Sequence, residues 1–145
     1  MAGNSPTKVY VFPVPGHQAE ITALKGLIEA AGCIIVCPND PPEAYEHCVR
    51  EADVVVILIC PETIDDKLIG PVVELANKLG KRIIGVWAAD AEPGKLPQSL
   101  NRYGDSNIRV DQEEVAAAVC RGETVWVTPE GKSRPKPKTP RHKGH

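Results

Sequence analysis

In the stretch KLIGPVVELANKLGKRIIGVW, residues 67 to 87, one carboxylate, Glu74, stands among Ile69, Val72, Val73, Leu75 and Ala76. If Gly70 precedes a helix and Pro71 is its first residue, Glu74 falls in the first turn. Ile69, Val72, Val73, Ala76 and Leu79 then share one face, and Glu74 points away from it toward Lys78. An i,i+4 ion pair on a wet surface, worth about 0.3 kcal/mol, is one account of this residue. Chemistry is the other. Upstream, PVPGH sets Pro15, Gly16 and His17 at a second helix start. Pro15 and Gly16 allow a backbone to approach a ligand, and a helix N-terminus there favours a phosphate. A tight turn and a surface histidine would use the same residues.

The surrounding sequence says what must position these groups. KVYVF (8–12) reads as a strand, and HQAEITALKGLIEAAG as a helix with Ile21, Leu24, Leu27 and Ile28 at helical spacing and Gly32 as its stop. CIIVC is a second strand, PNDPP a loop, and PEAYEHCVREA a short helix with Pro42 near its start. DVVVILIC, the most hydrophobic segment, is the third strand. The Glu74 helix and the Gly80 stop lead to a fourth strand, RIIGVWA. Residues 90 to 106 read as mostly irregular, NIRV as a short fifth strand, and DQEEVAAAVC as a helix capped by Asp111. ETVWVT either adds an edge strand or docks outside the sheet.

Continuous rather than alternating apolar strands imply burial on both faces. The alternation therefore predicts an α/β, flavodoxin-like doubly wound parallel sheet of five strands, order 2-1-3-4-5, with helices on both faces. Ligands of such sheets bind at the switch point beyond the carboxyl ends of the strands. Here that means residues 13 to 17 and 61 to 70, with Asp40 and Asp90 at the rim, and it sets Glu74 beside the crevice.

The chain has 145 residues, enough for one domain. The expected division is an arm over 1–7, the α/β domain over 8–128 and a basic disordered tail over 129–145. Residues 132 to 145 carry six of the 17 Lys and Arg and none of the 19 acids, so the body is acidic. The tail has almost no apolar residue to offset ordering entropy. Nucleic acid is a partner only through that tail, which lacks interleaved aromatics for stacking. MAGNSPTK has no hydrophobic segment, and no apolar run approaches the roughly 18 residues of a membrane span, so a soluble protein is expected. The five cysteines show no C-x-x-C pair and read as reduced, buried residues of a cytoplasmic protein; Cys33 and Cys37 lack the further ligands of a metal pair.

Several chemistries of this fold lack their residues. There is neither G-x-G-x-x-G nor G-x-x-x-x-G-K-[ST]. A phosphoryl-accepting receiver needs a carboxylate ending the third strand, where Cys60 stands, and an acidic pair after the first, where FPVP stands. A flavin site needs aromatic walls and a hydroxyl-rich loop, but aromatics make up 4% of the chain and PVPGH has no hydroxyl.

EADVVVILICPETIDDKLIGPVVELANKLGKRIIGVW resembles the core shared by TIR-like domains and nucleoside 2-deoxyribosyltransferases with their related nucleotide N-hydrolases. The matching parts are Ala52 to Val56, Gly70 four positions before Glu74, then Leu75, Ala76, and Gly80 to Ile84. The resemblance spans roughly residues 8 to 120, and its middle third is specific. Leu68 stands where transferases carry an Asp, with Asp65 and Asp66 nearby, and Gly70 and Pro71 stand where TIR domains often have a Trp-Cys pair.

That resemblance implies cleavage of the bond between ribose and nucleobase, with Glu74 as the catalytic carboxylate that stabilises or attacks the oxocarbenium-like sugar. It implies Pro15, Gly16, His17, Asp66 and Gly70 around the substrate. No metal and no cofactor are implied, with NAD entering as substrate. Nicotinamide leaves NAD as a neutral molecule, so the Leu68 departure leans toward an NAD hydrolase or cyclase, by resemblance a defence or stress effector activated by assembly. A nucleoside or nucleotide N-glycosidase or 2-deoxyribosyltransferase is the alternative. A non-catalytic TIR-like assembly or signalling module is the third reading. The partners implied are a nucleotide-type small molecule and further copies of the chain or a protein of the same system, with no membrane.

Overall fold

A computed structural model describes residues 6–92 and 94–132. The strands are β1 (Lys8–Val11), β2 (Ile34–Ile35), β3 (Val54–Ile59), β4 (Arg82–Trp87) and β5 (Ser106–Arg109). Between them run α1 (Gln18–Ala30), α2 (Tyr45–Glu51), α3 (Gly70–Lys78) and α4 (Gln98–Tyr103); α5 (Gln112–Val115) follows β5. All strand pairs are parallel, in the order β2-β1-β3-β4-β5. The expected doubly wound sheet is therefore present. α1 packs on α5, whereas α2, α3 and α4 lie side by side, so helices cover both faces.

Apolar burial explains the centre of the sheet. Every residue of β3 is buried, and Ile83, Ile84 and Val86 continue the core on β4. At about 25 cal/mol per Å² of apolar surface, these two strands are the largest source of hydrophobic stabilisation in the sheet. Gly85 is required where it stands, since a Cβ there would come 2.6 Å from Asn107 Oδ1 and 3.0 Å from Ile59 Cδ1. At the edge the pattern weakens. β2 keeps only Ile34 and Ile35 of the CIIVC segment, Ile34 is exposed, and the chain leaves the ladder at Cys37 with a φ of 53°.

Three expectations are corrected or refined. The 90–106 segment, read as mostly irregular, carries one short helix, α4, over Gln98–Tyr103, started by Pro97, ended at Gly104 and anchored by buried Leu100. α3 begins at Gly70, so Glu74 is its fifth residue and lies just past the first turn. The cysteines are not all reduced: Cys33 pairs with Cys120 and Cys37 with Cys48, leaving Cys60 as the buried thiol. Disulfides of this kind persist in oxidising surroundings, so the cysteines lend no support to a cytoplasmic location. No helix among the described residues is long and apolar enough to cross a membrane.

Asp111 caps α5 as expected, accepting from the Glu114 N–H at 3.0 Å. The ETVWVT segment docks beside β5 through one parallel bridge, Asn107 to Trp126, and Trp87 Nε1 donates to Val127 O at 2.8 Å. The expected disordered tail falls almost wholly outside the described residues, as does most of the arm.

Candidate functional site

Two polar regions occupy the carboxyl edge of this sheet. The first is the switch point between the β1 and β3 loops. Gly16, at a φ of 85°, turns the chain so that His17 can start α1. The His17 side chain is 7% exposed. Its Nδ1 lies 2.8 Å from Glu20 Oε1 and its Nε2 lies 2.8 Å from Glu62 Oε1, with Asp90 Oδ2 at 3.9 Å. Glu20 is held in turn, since Oε2 accepts from the Ala89 N–H at 2.7 Å. Glu62 sits on the short turn Pro61–Thr63, fixed by the Thr63 hydroxyl, which donates to Leu58 O and accepts from the Cys60 N–H.

The electrostatics follow from these contacts. The Glu20 carboxylate raises the His17 pKa, burial opposes it, and Glu62 and Asp90 add to the rise. The bond to His17 holds the Glu62 carboxyl below its ordinary value. Beneath them, burial pushes the Cys60 thiol up to about 11, so it stays protonated at neutral pH.

The second region is a groove of 430 Å³ between the start of α3 and α4, lined by Asp66, Lys67, Gly70, Glu74, Ser99, Arg102 and Tyr103 among others. Its floor is a clamp: the Ser99 hydroxyl donates to Asp66 Oδ1 at 2.6 Å and the Ser99 N–H to Asp66 Oδ2 at 2.9 Å. Asp66 takes a φ of 66°, which a short polar side chain tolerates better than most. Arg102 stacks 5.8 Å over the Tyr103 ring. Glu74 is exposed and, among the described residues, makes no hydrogen bond or ion pair; its expected partner Lys78 makes none either. The wet-face ion pair is therefore not formed.

Of the residues expected around one substrate, Asp66, Gly70 and Glu74 line the same groove. Pro15 is elsewhere, in a cavity of 470 Å³ between the β1 and β2 loops that shares no lining residue with the groove and that includes Asp40. His17 faces its own carboxylates, and Gly16 serves the turn. Sequence reasoning missed Ser99, Arg102 and Tyr103 because α4 was unseen, and passed over Lys67 although its loop, residues 61 to 70, was placed at the crevice. It also missed Glu20 and Glu62, although Glu20 lies three residues after His17 on the same helix, a spacing that makes neighbours.

No family model matches the chain, and no curated protein matches it. Among solved structures, the TIR domain of the Toll-related receptor TRR-2 from Hydra magnipapillata superposes with a TM-score of 0.53 at 15% identity, covering 79% of this chain and 92% of that one. The likeness is one of fold. The CMP N-glycosidase BcmB of Clostridium botulinum is similar to the same degree, with a TM-score of 0.50 at 16% identity over 77% of this chain and 96% of that one. Both agree with the fold-level resemblance read from the segment around β3 and α3.

Proposed function

We propose that the chain cleaves the N-glycosidic bond of a nucleotide in the α3–α4 groove, with NAD as the leading substrate and Glu74 beside the anomeric carbon. The observation that carries this reading is the uncommitted Glu74 carboxylate in a groove whose Lys67 and Arg102 also have no carboxylate partner among the described residues. Two free cations suit a pyrophosphate, a tyrosine ring suits a base, and a free carboxylate suits a sugar that becomes cationic.

The reaction balances simply. The bond between ribose C1′ and the nicotinamide nitrogen breaks, and its electron pair leaves with neutral nicotinamide. Glu74 stabilises the resulting cation or adds to it, and water completes the transfer to give ADP-ribose and a proton. No general acid is needed. Asp66 accepts from Ser99 through both oxygens, so it is not placed to protonate a departing base.

A second reading is a nucleoside monophosphate as substrate, favoured by the fold likeness to a CMP N-glycosidase. Base release from NAD and from a panel of nucleosides and nucleoside monophosphates, at low and high protein concentration, separates the readings. Nicotinamide release supports the first, and a free pyrimidine or purine the second. A folded protein silent toward every substrate at both concentrations leaves a non-catalytic assembly module in their place.

A further inference from the structure

The body of the chain is acidic, yet its cations are not spread evenly. A cavity of 590 Å³ opens on the amino edge of the sheet, where Lys8 begins β1, Val54 begins β3 and Arg82 begins β4. Lys8, Arg50, Lys81 and Arg82 line it from three separate stretches of chain, against the carboxylates of Glu51 and Asp53. Arg121 lines it too, but Glu123 and Glu113 already hold its guanidinium at 2.8 and 2.7 Å. Four cations against two carboxylates leave a surplus of two positive charges.

The way these charges are held argues for a ligand. Asp53 is turned to the backbone, its Oδ2 accepting from the Lys8 N–H at 2.9 Å. The side chains of Lys8, Arg50 and Glu51 make no hydrogen bond or ion pair among the described residues. Arg82 is anchored by carbonyls rather than by a carboxylate, its Nη2 donating to Ala118 O at 3.0 Å and to Glu123 O at 3.2 Å. A carbonyl fixes a guanidinium without neutralising it. The Arg82 Nε is buried with no hydrogen-bond partner, a costly state until a ligand accepts from it.

Shape decides the kind of ligand. A concave site of this volume suits a small molecule better than a flat protein contact. Among the described residues no aromatic side chain lines it, so a nucleic acid would find phosphate contacts without a stacking platform. Residues 132 to 145 are basic, so charge repels the chain's own end. Val54 and Val119 add an apolar part to the lining. We propose that this cavity binds a small dianionic phosphate, free or as a monoester. Such a group carries about −1.5 to −2 charges at neutral pH, matching the surplus, and its three terminal oxygens give Lys8, Arg50 and Arg82 an acceptor each. The site shares no residue with the Glu74 groove and lies on the opposite edge of the sheet, so it stands or falls independently of the function assigned there.

Amide chemical shifts of the full chain, disulfides intact, recorded at about pH 8 and low ionic strength while inorganic phosphate or ribose 5-phosphate is titrated, test it. Saturable shifts are expected over residues 7–8, 50–54, 81–82 and 119–122, with the dissociation constant raised about tenfold or more in both Arg50→Glu and Arg82→Gln. Equal affinity for the two probes assigns the site to phosphate itself, and tighter binding of the ester assigns it to an organic phosphate. Absence of saturable shifts at these residues, shifts confined to 66–75 and 98–103, or an affinity unchanged in Arg50→Glu would overturn the proposal. Should Arg82→Gln fail to fold by circular dichroism, Arg50→Glu decides, because that side chain is exposed and has no hydrogen bond to lose.

Discussion

The His17 crevice and the Glu74 groove lie on the same edge of the same sheet, yet they treat charge in opposite ways. In the crevice each nitrogen of a buried imidazole has a carboxylate, and one of those carboxylates holds a loop N–H. In the groove the Asp66–Ser99 floor is closed, while Glu74, Lys67 and Arg102 face water with no side-chain hydrogen bond or ion pair among the described residues. Internally satisfied groups hold structure together, whereas groups held near one another but unsatisfied wait for something to bind. Under the proposed function, stability belongs to the first region and turnover to the second.

Removing the groove's carboxylate should have the largest effect. Glu74→Gln is expected to lower base release about 1,000-fold, roughly 4 kcal/mol of barrier, with the urea midpoint unchanged. An equal loss accompanied by unfolding would erase the contrast. His17→Ala should do the reverse. It leaves Glu20 and Glu62 facing each other without the imidazole, and should cost about 2 kcal/mol in urea unfolding while base release changes less than tenfold. Arg102→Ala comes next, since a contact to an unreacting phosphate adds uniform binding; KM should rise about tenfold, near 1.4 kcal/mol, with kcat steady. The smallest effect belongs to Ser99→Ala, which removes one charge-assisted bond to Asp66 at a half-buried site and should lower stability by about 1 kcal/mol.

The sequence made the sheet legible because β3 and β4 bury nearly every side chain, and long apolar runs punctuated by Gly32 and Gly80 leave few other topologies. Glu74, Asp66 and Gly70 were legible as neighbours because one loop and one helix carry all three. The far wall was not. α4 has six residues, too few for helical periodicity to show, and only Pro97 and Gly104 marked its ends. Cysteine pairing was equally hidden, since Cys33 and Cys120 are 87 residues apart and meet only through the packing of α1 on the last helix. His17 was noticed for its place at a helix start, but its contact to Glu62 spans 45 residues and depends on the strand order itself.

Amide chemical shifts recorded while NAD is titrated into Glu74→Gln, which under the proposed function should bind without turning over, test the division between the two regions most directly. The account predicts perturbations concentrated over residues 66–75 and 98–103, with residues 16–20 and 88–90 unmoved. Perturbations centred on Gly16, His17 and Ala89 instead would contradict it, returning the site to the switch point and Glu74 to the surface.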